Sequence, residues 1–73
     1  MLYHVKITFN KYAPDDMSVL EDDFTGAFIN DNAEILFLYQ HFIDETGQKA
    51  IERISIPIHS IEIAEIKPIY EDN

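Results

Sequence analysis

Apolar and polar residues alternate with a period of two along most of this chain. Such alternation is typical of β-strands, in which successive side chains point to opposite faces of a sheet. The pattern predicts five strands, which cover residues 2–9, 24–30, 34–43, 50–58 and 61–66. The predicted fold is therefore all-β, either a small five-stranded antiparallel barrel or a strongly bent sheet.

The isoleucine-rich segment 53–66 contains a change of parity that a straight strand cannot accommodate. Three isoleucines take even positions and two take the odd positions that follow: Ile54, Ile56 and Ile58, then Ile61 and Ile63. Because a shift of one residue turns a whole set of side chains outward, we expect a bulge or a helical turn near His59-Ser60. Pro57, which cannot donate a ladder hydrogen bond, favours an irregularity at this point. The alternative is a helix over residues 58–66, whose isoleucines partly fit helical spacing.

Residues 34–43 are apolar on both faces, which predicts a central strand or a strand with one face against another subunit. The predicted core takes one parity from each strand: Val5, Ile7, Phe28, Phe37, Ile54, Ile56, Ile61 and Ile63. The opposite face of the third strand would then be exposed, and it consists of Leu36, Leu38 and Phe42. Exposed apolar patches on soluble proteins usually mark interfaces. We therefore predict self-association into a homodimer or a small ring through this face.

The connection between the first two predicted strands, residues 10–23, is the most acidic part of the chain. We expect a long loop here, with a short helical turn that starts at Pro14, because proline suits a first helical position. The acidic residues of this loop form a candidate docking site for a basic partner: Asp15, Asp16, Glu21, Asp22 and Asp23. The loop lacks the alternating acids, central glycine and final glutamate of a calcium-binding loop.

Composition and charge limit the class of protein. The chain has 73 residues, 47% of them hydrophobic, which predicts one small domain over residues 1–73. Fourteen acidic and five basic residues give a net charge of −9, which repels phosphate backbones and anionic lipid headgroups. This charge suits a protein partner with a basic surface, or solubility alone. The sequence shows no leader pattern and no apolar run of ~20 residues, so we expect a cytoplasmic protein with no membrane partner.

The order of the predicted strands resembles that of the Src-homology-type barrels, and of the Sm-like and PRC-barrel groups in particular. The residues that carry the resemblance are Gly26-Ala27-Phe28-Ile29, Glu34-Ile35-Leu36-Phe37-Leu38 and Ile56-Pro57-Ile58-His59-Ser60-Ile61. They lie within residues 24–66, and PH-like hairpins share their pattern. Sm-like proteins bind RNA as rings of subunits. Where the resemblance implies a basic or polar base-binding loop, this chain has the acidic turn Asn30-Asp31-Asn32, so direct binding of nucleic acid is not expected.

The sequence contains no motif for catalysis, for a cofactor or for a metal site. A protein metal site needs at least three converging ligands. The chain has no cysteine, and its three histidines do not form a cluster in the sequence. Its serines lie in no nucleophile elbow, and a small barrel offers no cleft for paired catalytic carboxylates. We therefore predict that the protein is not an enzyme.

Three functions agree with these features. The first is a non-catalytic interaction or regulatory module that docks through the acidic loop or through the apolar face of the third strand. The second is an inhibitor that mimics the charge of nucleic acid and blocks a nucleic-acid-binding protein. Such mimicry requires acidic side chains in rows near phosphate spacing on one face. The third is an Sm-like ring that binds RNA, which the net negative charge disfavours.

Overall fold

The computed structural model of the protein describes residues 2–70. Its strands are β1 (Leu2–Phe9), β2 (Val19–Phe24), β3 (Gly26–Asn30), β4 (Ile35–Ile43), β5 (Lys49–Pro57) and β6 (Ile61–Ile69). Short 3₁₀ turns cover Pro14–Asp16 and Ile58–Ser60. The all-β prediction and the predicted turn before the last strand are confirmed. The alternative helix over residues 58–66 is wrong.

The predicted acidic loop is shorter than residues 10–23, because its second half forms β2. This strand pairs with β1 from Tyr3↔Phe24 to Thr8↔Val19. The run Glu21-Asp22-Asp23 obscured the strand in the sequence, since acidic residues are depleted in strands. The cross-strand pairs with β1 outweigh this local preference.

The first sheet, sheet A, is antiparallel and has the strand order β2-β1-β6. The odd positions of its central strand β1 face inward. Val5 and Ile7 are completely buried, and Phe9 is nearly so. The even positions form part of the outer face of sheet A, and after Leu2 they are polar: His4, Lys6 and Thr8. The alternation predicted for the first strand is therefore confirmed.

The second sheet, sheet B, is also antiparallel and has the order β3-β4-β5. Its inward side chains include Leu36 and Leu38 of β4 and Ile56 of β5, all buried. They pack with the buried residues of sheet A into one core. This core is apolar apart from the nearby Ser60, whose buried hydroxyl donates a hydrogen bond of 2.6 Å to the carbonyl oxygen of Pro57.

The chain passes between the two sheets twice, through the 3₁₀ turn Ile58–Ser60 and through a bend at Thr25, the one residue between β2 and β3. The backbone N–H and the hydroxyl of Thr25 donate hydrogen bonds of 2.8 and 3.0 Å to the carbonyl oxygen of Tyr39. The Gln40 amide donates to a carboxylate oxygen of Asp22 and to the carbonyl oxygen of Asp23, both at 3.0 Å. The bond from Gln40, and then the one from the Asp23 backbone N–H, lowers the pKa of Asp22. These contacts join the bend to β4.

The number of strands and their closure differ from the prediction. The predicted second strand over residues 24–30 is the end of β2 and the whole of β3, so the chain forms six strands rather than five. The ladders among residues 2–70 remain in two three-stranded sheets and do not close into a barrel. The last strand continues past the predicted end at residue 66 to Ile69, which pairs with Leu2, whereas Tyr70 is 75% exposed. Residues 71–73 lie outside the described part.

Part of the predicted core is correct. Val5, Ile7 and Ile56 are at most 4% exposed. Ile54 and Ile61 are partly buried and pack against the core. Phe37 is also partly buried but lies on the solvent-facing side of sheet B, so its predicted place in the core is wrong. Phe28 and Ile63 are 57% and 56% exposed, so their predicted burial is wrong.

These errors follow from strand register. Phe28 pairs with Phe37, which places it on the solvent side of sheet B. Ile63 pairs with Thr8, whereas Ile61 pairs with Phe9. The bulge between these pairs changes the parity of β6, so Ile63 lies on the outer face of sheet A.

The predicted exposed face of the third strand is also wrong. Leu36 and Leu38 are 3% and 0% exposed, and only Phe42, near the end of β4, is exposed as predicted, at 45%. The loop between β4 and β5 places Ile43 opposite Lys49. Odd positions of β4 therefore pair with odd positions of β5, and even positions with even positions. The even positions of β4 therefore face the same side as the isoleucines of β5 that enter the core, and the odd positions face solvent.

Candidate interaction surface

The solvent-facing side of sheet B carries apolar side chains on all three strands. The registers place the following residues there: Gly26, Phe28, Asn30, Ile35, Phe37, Tyr39, His41, Ile43, Lys49, Ile51, Arg53, Ser55 and Pro57. We call this set the outer face of sheet B. It is the odd side of β4, opposite to the side that the sequence predicted to be exposed.

Large apolar groups of this face are accessible to a partner. Phe28, Ile51 and Ile43 are 57%, 65% and 70% exposed. Phe37 and Tyr39 lie between them and are half-buried. An exposed, contiguous apolar patch on a soluble protein usually marks a binding surface.

The charge of the outer face of sheet B is opposite to that of the whole chain. Among residues 2–70, no carboxylate occupies a position of this face, although the chain has fourteen acidic residues. Lys49 and Arg53 do lie on it. The Arg53 guanidinium carbon is 5.0 Å from the centroid of the Phe37 ring, a cation–π distance. Within the described residues, neither cation forms an ion pair.

The tip of the β4–β5 hairpin continues this apolar surface. An open groove of about 470 Å³ lies there, lined by His41, Phe42, Ile43, Lys49, Ala50 and Ile51. The loop at the tip is organised by Asp44, whose carboxylate accepts hydrogen bonds from the hydroxyl and backbone N–H of Thr46 and from the N–H of Gln48. The bond from the Thr46 hydroxyl and then that from Gln48 lower the pKa of Asp44.

The predicted acidic site is not one surface. Asp15 and Asp16 lie in the first 3₁₀ turn, where both have a φ of 55°. Glu21 and Asp23 lie on the outer face of sheet A, whereas Asp22 pairs with an inward residue of β1 and faces the other way. The structure thus divides the acidic residues among a turn and two faces of a strand, and they form no row.

His4 is the partner of two of these acidic residues. One of its ring nitrogens is 2.7 Å from a carboxylate oxygen of Asp23, and the other is 3.0 Å from one of Glu21. The hydrogen bond with Asp23 and then that with Glu21 raise the pKa of His4. Lys6 and Lys67 lie beside this cluster and line the same shallow depression. The outer face of sheet A therefore carries charges of both signs, and polar side chains occupy most of it.

A signal for the outer face of sheet B was present in the sequence of β5. Its even positions include Ile54 and Ile56, whereas its odd positions include Lys49, Arg53 and Ser55. The polar parity of β5 marks the solvent side. Because the hairpin loop has an odd number of residues, the odd positions of β4 lie on the same side of the sheet as the odd positions of β5. β4 itself is apolar on both sides. The register of the hairpin was therefore needed to identify the exposed side.

The described residues contain no arrangement of three or more histidine or acidic side chains suited to a metal ion. The part of the chain that the structure describes has no helix long and apolar enough to cross a bilayer. No family model matches the chain, and neither a curated protein nor a solved structure shows significant similarity to it.

Proposed function

We propose that this protein is a non-catalytic protein-interaction module that docks a partner protein through the outer face of sheet B. One observation carries the proposal: Phe28, Ile43 and Ile51 expose more than half of their side-chain surface on a single face. Aromatic residues and arginine are enriched at the centres of interfaces, and Phe37, Tyr39 and Arg53 provide them here.

The exposed apolar groups set the scale of the interaction. Complete burial of such a side chain contributes about 1.5–3 kcal/mol. Since Phe28, Ile43 and Ile51 are 57–70% exposed, covering them contributes about 1–2 kcal/mol each. Association itself costs roughly 4–15 kcal/mol in lost freedom. The apolar contacts therefore support a weak or transient complex, and polar contacts are needed for a tight one.

Other features support narrower proposals about the protein. The bent β2–β3 segment and the 3₁₀ turn before β6 support the proposed likeness to Src-homology-type barrels. The net charge of −9 supports a second contact with a basic surface, away from sheet B. A homo-oligomer and a cytoplasmic location stay predictions. The scattered acidic residues give no support to mimicry of nucleic acid.

Affinity capture from native cell extract, with two matched variants, tests this proposal. Ile51→Asp places a charge on the outer face of sheet B, where the isoleucine is 65% exposed. Ile63→Asp makes the same change at a 56% exposed position on sheet A. We expect the wild type and Ile63→Asp to retain the same partner and Ile51→Asp to lose it. Retention by all three proteins, with the fold intact by circular dichroism, would exclude the outer face of sheet B.

A further inference from the structure

We infer that the outer face of sheet B takes an extended acidic segment of another protein, which adds as a strand along β5 and carries two carboxylates four residues apart with an apolar residue midway. The inference rests on the proposed function and names the chemistry of the partner. The net charge alone leads to the expectation of a basic partner, whereas at this face we infer an acidic one.

Sheet B has an edge at β5 with no partner strand among residues 2–70. β5 is the last strand of this sheet, and among the described strands only β4 forms a ladder with it. An edge strand presents unpaired N–H and C=O groups, which an extended peptide can pair by strand addition. In such an addition, each residue of the new strand lies beside one residue of β5 on the same face.

The outward side chains along the first half of β5 alternate between cationic and apolar. Lys49, Ile51 and Arg53 follow one another on the outer face, in the pattern cation, apolar, cation. With a rise of about 3.3 Å per residue, the two cations lie about 13 Å apart. A partner strand paired with β5 complements this order when it places a carboxylate beside each cation and an aliphatic residue beside Ile51. The same match is obtained in either strand direction, because the pattern is symmetric.

Among the described residues, the side chain of Arg53 contacts an aromatic ring rather than an acid. Its guanidinium packs over the Phe37 ring at 5.0 Å and forms no ion pair with any residue of 2–70. Stacking on an aromatic ring limits the positions that the guanidinium takes, and a planar guanidinium binds a carboxylate with two parallel hydrogen bonds. An incoming carboxylate therefore meets a partly oriented cation that has no competing acid on its own face.

A second copy of this chain does not supply the segment. No two of the fourteen acidic residues lie four positions apart in the sequence. A symmetric contact between two outer faces of sheet B would also bring Lys49 and Arg53 of both copies together, with no carboxylate on either face. The occupant is therefore a different protein.

Titration of the isotope-labelled full chain with two model peptides tests the inference by NMR. The acidic probe is Ac-Thr-Glu-Thr-Val-Thr-Glu-Thr-NH2, and the control replaces both glutamates with lysines. We expect the acidic peptide to shift the amides of residues 49–53 and to bind there about ten-fold more tightly than the control, because two cross-strand charge pairs change sign. Equal binding at β5, or shifts only on sheet A, would overturn the inference.

Two charge variants make the test specific. Lys49→Glu combined with Arg53→Glu should reverse the preference, so that the lysine peptide binds β5 more tightly. Lys6→Glu combined with Lys67→Glu produces the same change in net charge on the outer face of sheet A and should keep the preference for the acidic peptide. Loss of preference in both variants would mean that total charge, rather than β5, selects the peptide.

Other occupants of the face are distinguishable in the same system. Stronger shifts of residues 49–53 by an oligothymidylate than by the acidic peptide would identify a nucleic-acid surface and refute the inference. A dimer in sedimentation equilibrium that protects the β5 amides would identify a second copy and also refute it. If capture of the cellular partner depends on Ile51 but the peptides bind equally, the partner chemistry is wrong and the proposed surface stands.

Discussion

Replacing Leu38 with alanine tests which side of β4 is buried, on which the position of the proposed interaction surface depends. Leu38 is completely buried and pairs with Ala27 and Ile54 on the neighbouring strands. A Leu→Ala change at such a site costs about 2–5 kcal/mol. At roughly 0.05–0.15 kcal/mol per residue, a chain of this length has a free energy of unfolding of about 4–11 kcal/mol. The variant should therefore lose about a fifth of its stability or more.

Urea unfolding followed by circular dichroism measures the effect. With an m-value of about 1 kcal/mol per molar urea, the midpoint should fall by about 2 M or more. Phe28→Ala is the matched control on the opposite face, and because Phe28 is 57% exposed it should cost less than about 1 kcal/mol. If Leu38→Ala does not fold, Leu38→Met should still fold with a loss below about 1.5 kcal/mol. A cost below about 0.5 kcal/mol for Leu38→Ala, with a larger one for Phe28→Ala, would refute the assignment of the faces.

Three further predictions concern turns and charge. Glu34 has a φ of 54°, a backbone conformation that costs a residue other than glycine about 1 kcal/mol. Glu34→Gly should therefore raise the melting temperature, and a decrease would contradict this conformation of the turn. Gly47 has a φ of 85°, which residues with a Cβ rarely adopt, so Gly47→Ala should destabilise the protein by about 1 kcal/mol. Urea unfolding measures this, and an unchanged midpoint would count against the hairpin geometry. His4 has a pKa raised above 6.5 by its two carboxylate neighbours, so its contribution to stability is complete below that pH and is lost as the pH rises through the folded pKa. The difference in unfolding free energy between wild type and His4→Gln should fall across this window, and a difference independent of pH would show that the contacts do not form in solution.

The strands of this protein were predictable from the sequence where one side of the strand is clearly polar. β1 alternates cleanly, and its burial agrees with the prediction. The change of parity after Ile58 correctly located the second 3₁₀ turn. These features depend on local spacing alone, which a sequence records directly.

The parts that were not predictable depend on pairing between strands. β4 is apolar on both sides, so its exposed side is fixed only by the register of the hairpin with β5. The bulge opposite Thr8 and Phe9 turns Ile63 outward, and no residue type in β6 marks it. β2 contains three consecutive acidic residues that are poor strand formers, and its ladder with β1 holds them extended. Because the proposed interaction surface depends on such registers, its residues could be named only from the structure.

Site-specific photo-crosslinking in native cells tests the central claim, that the outer face of sheet B contacts a partner protein. A photoreactive side chain at position 51 lies in the middle of that face, and one at position 63 is the control, since the native residues are 65% and 56% exposed. We predict a crosslink to a different protein from position 51 and none to that protein from position 63. Crosslinks to the same protein from position 63 alone, or from neither position in cells where capture succeeds, would contradict the account.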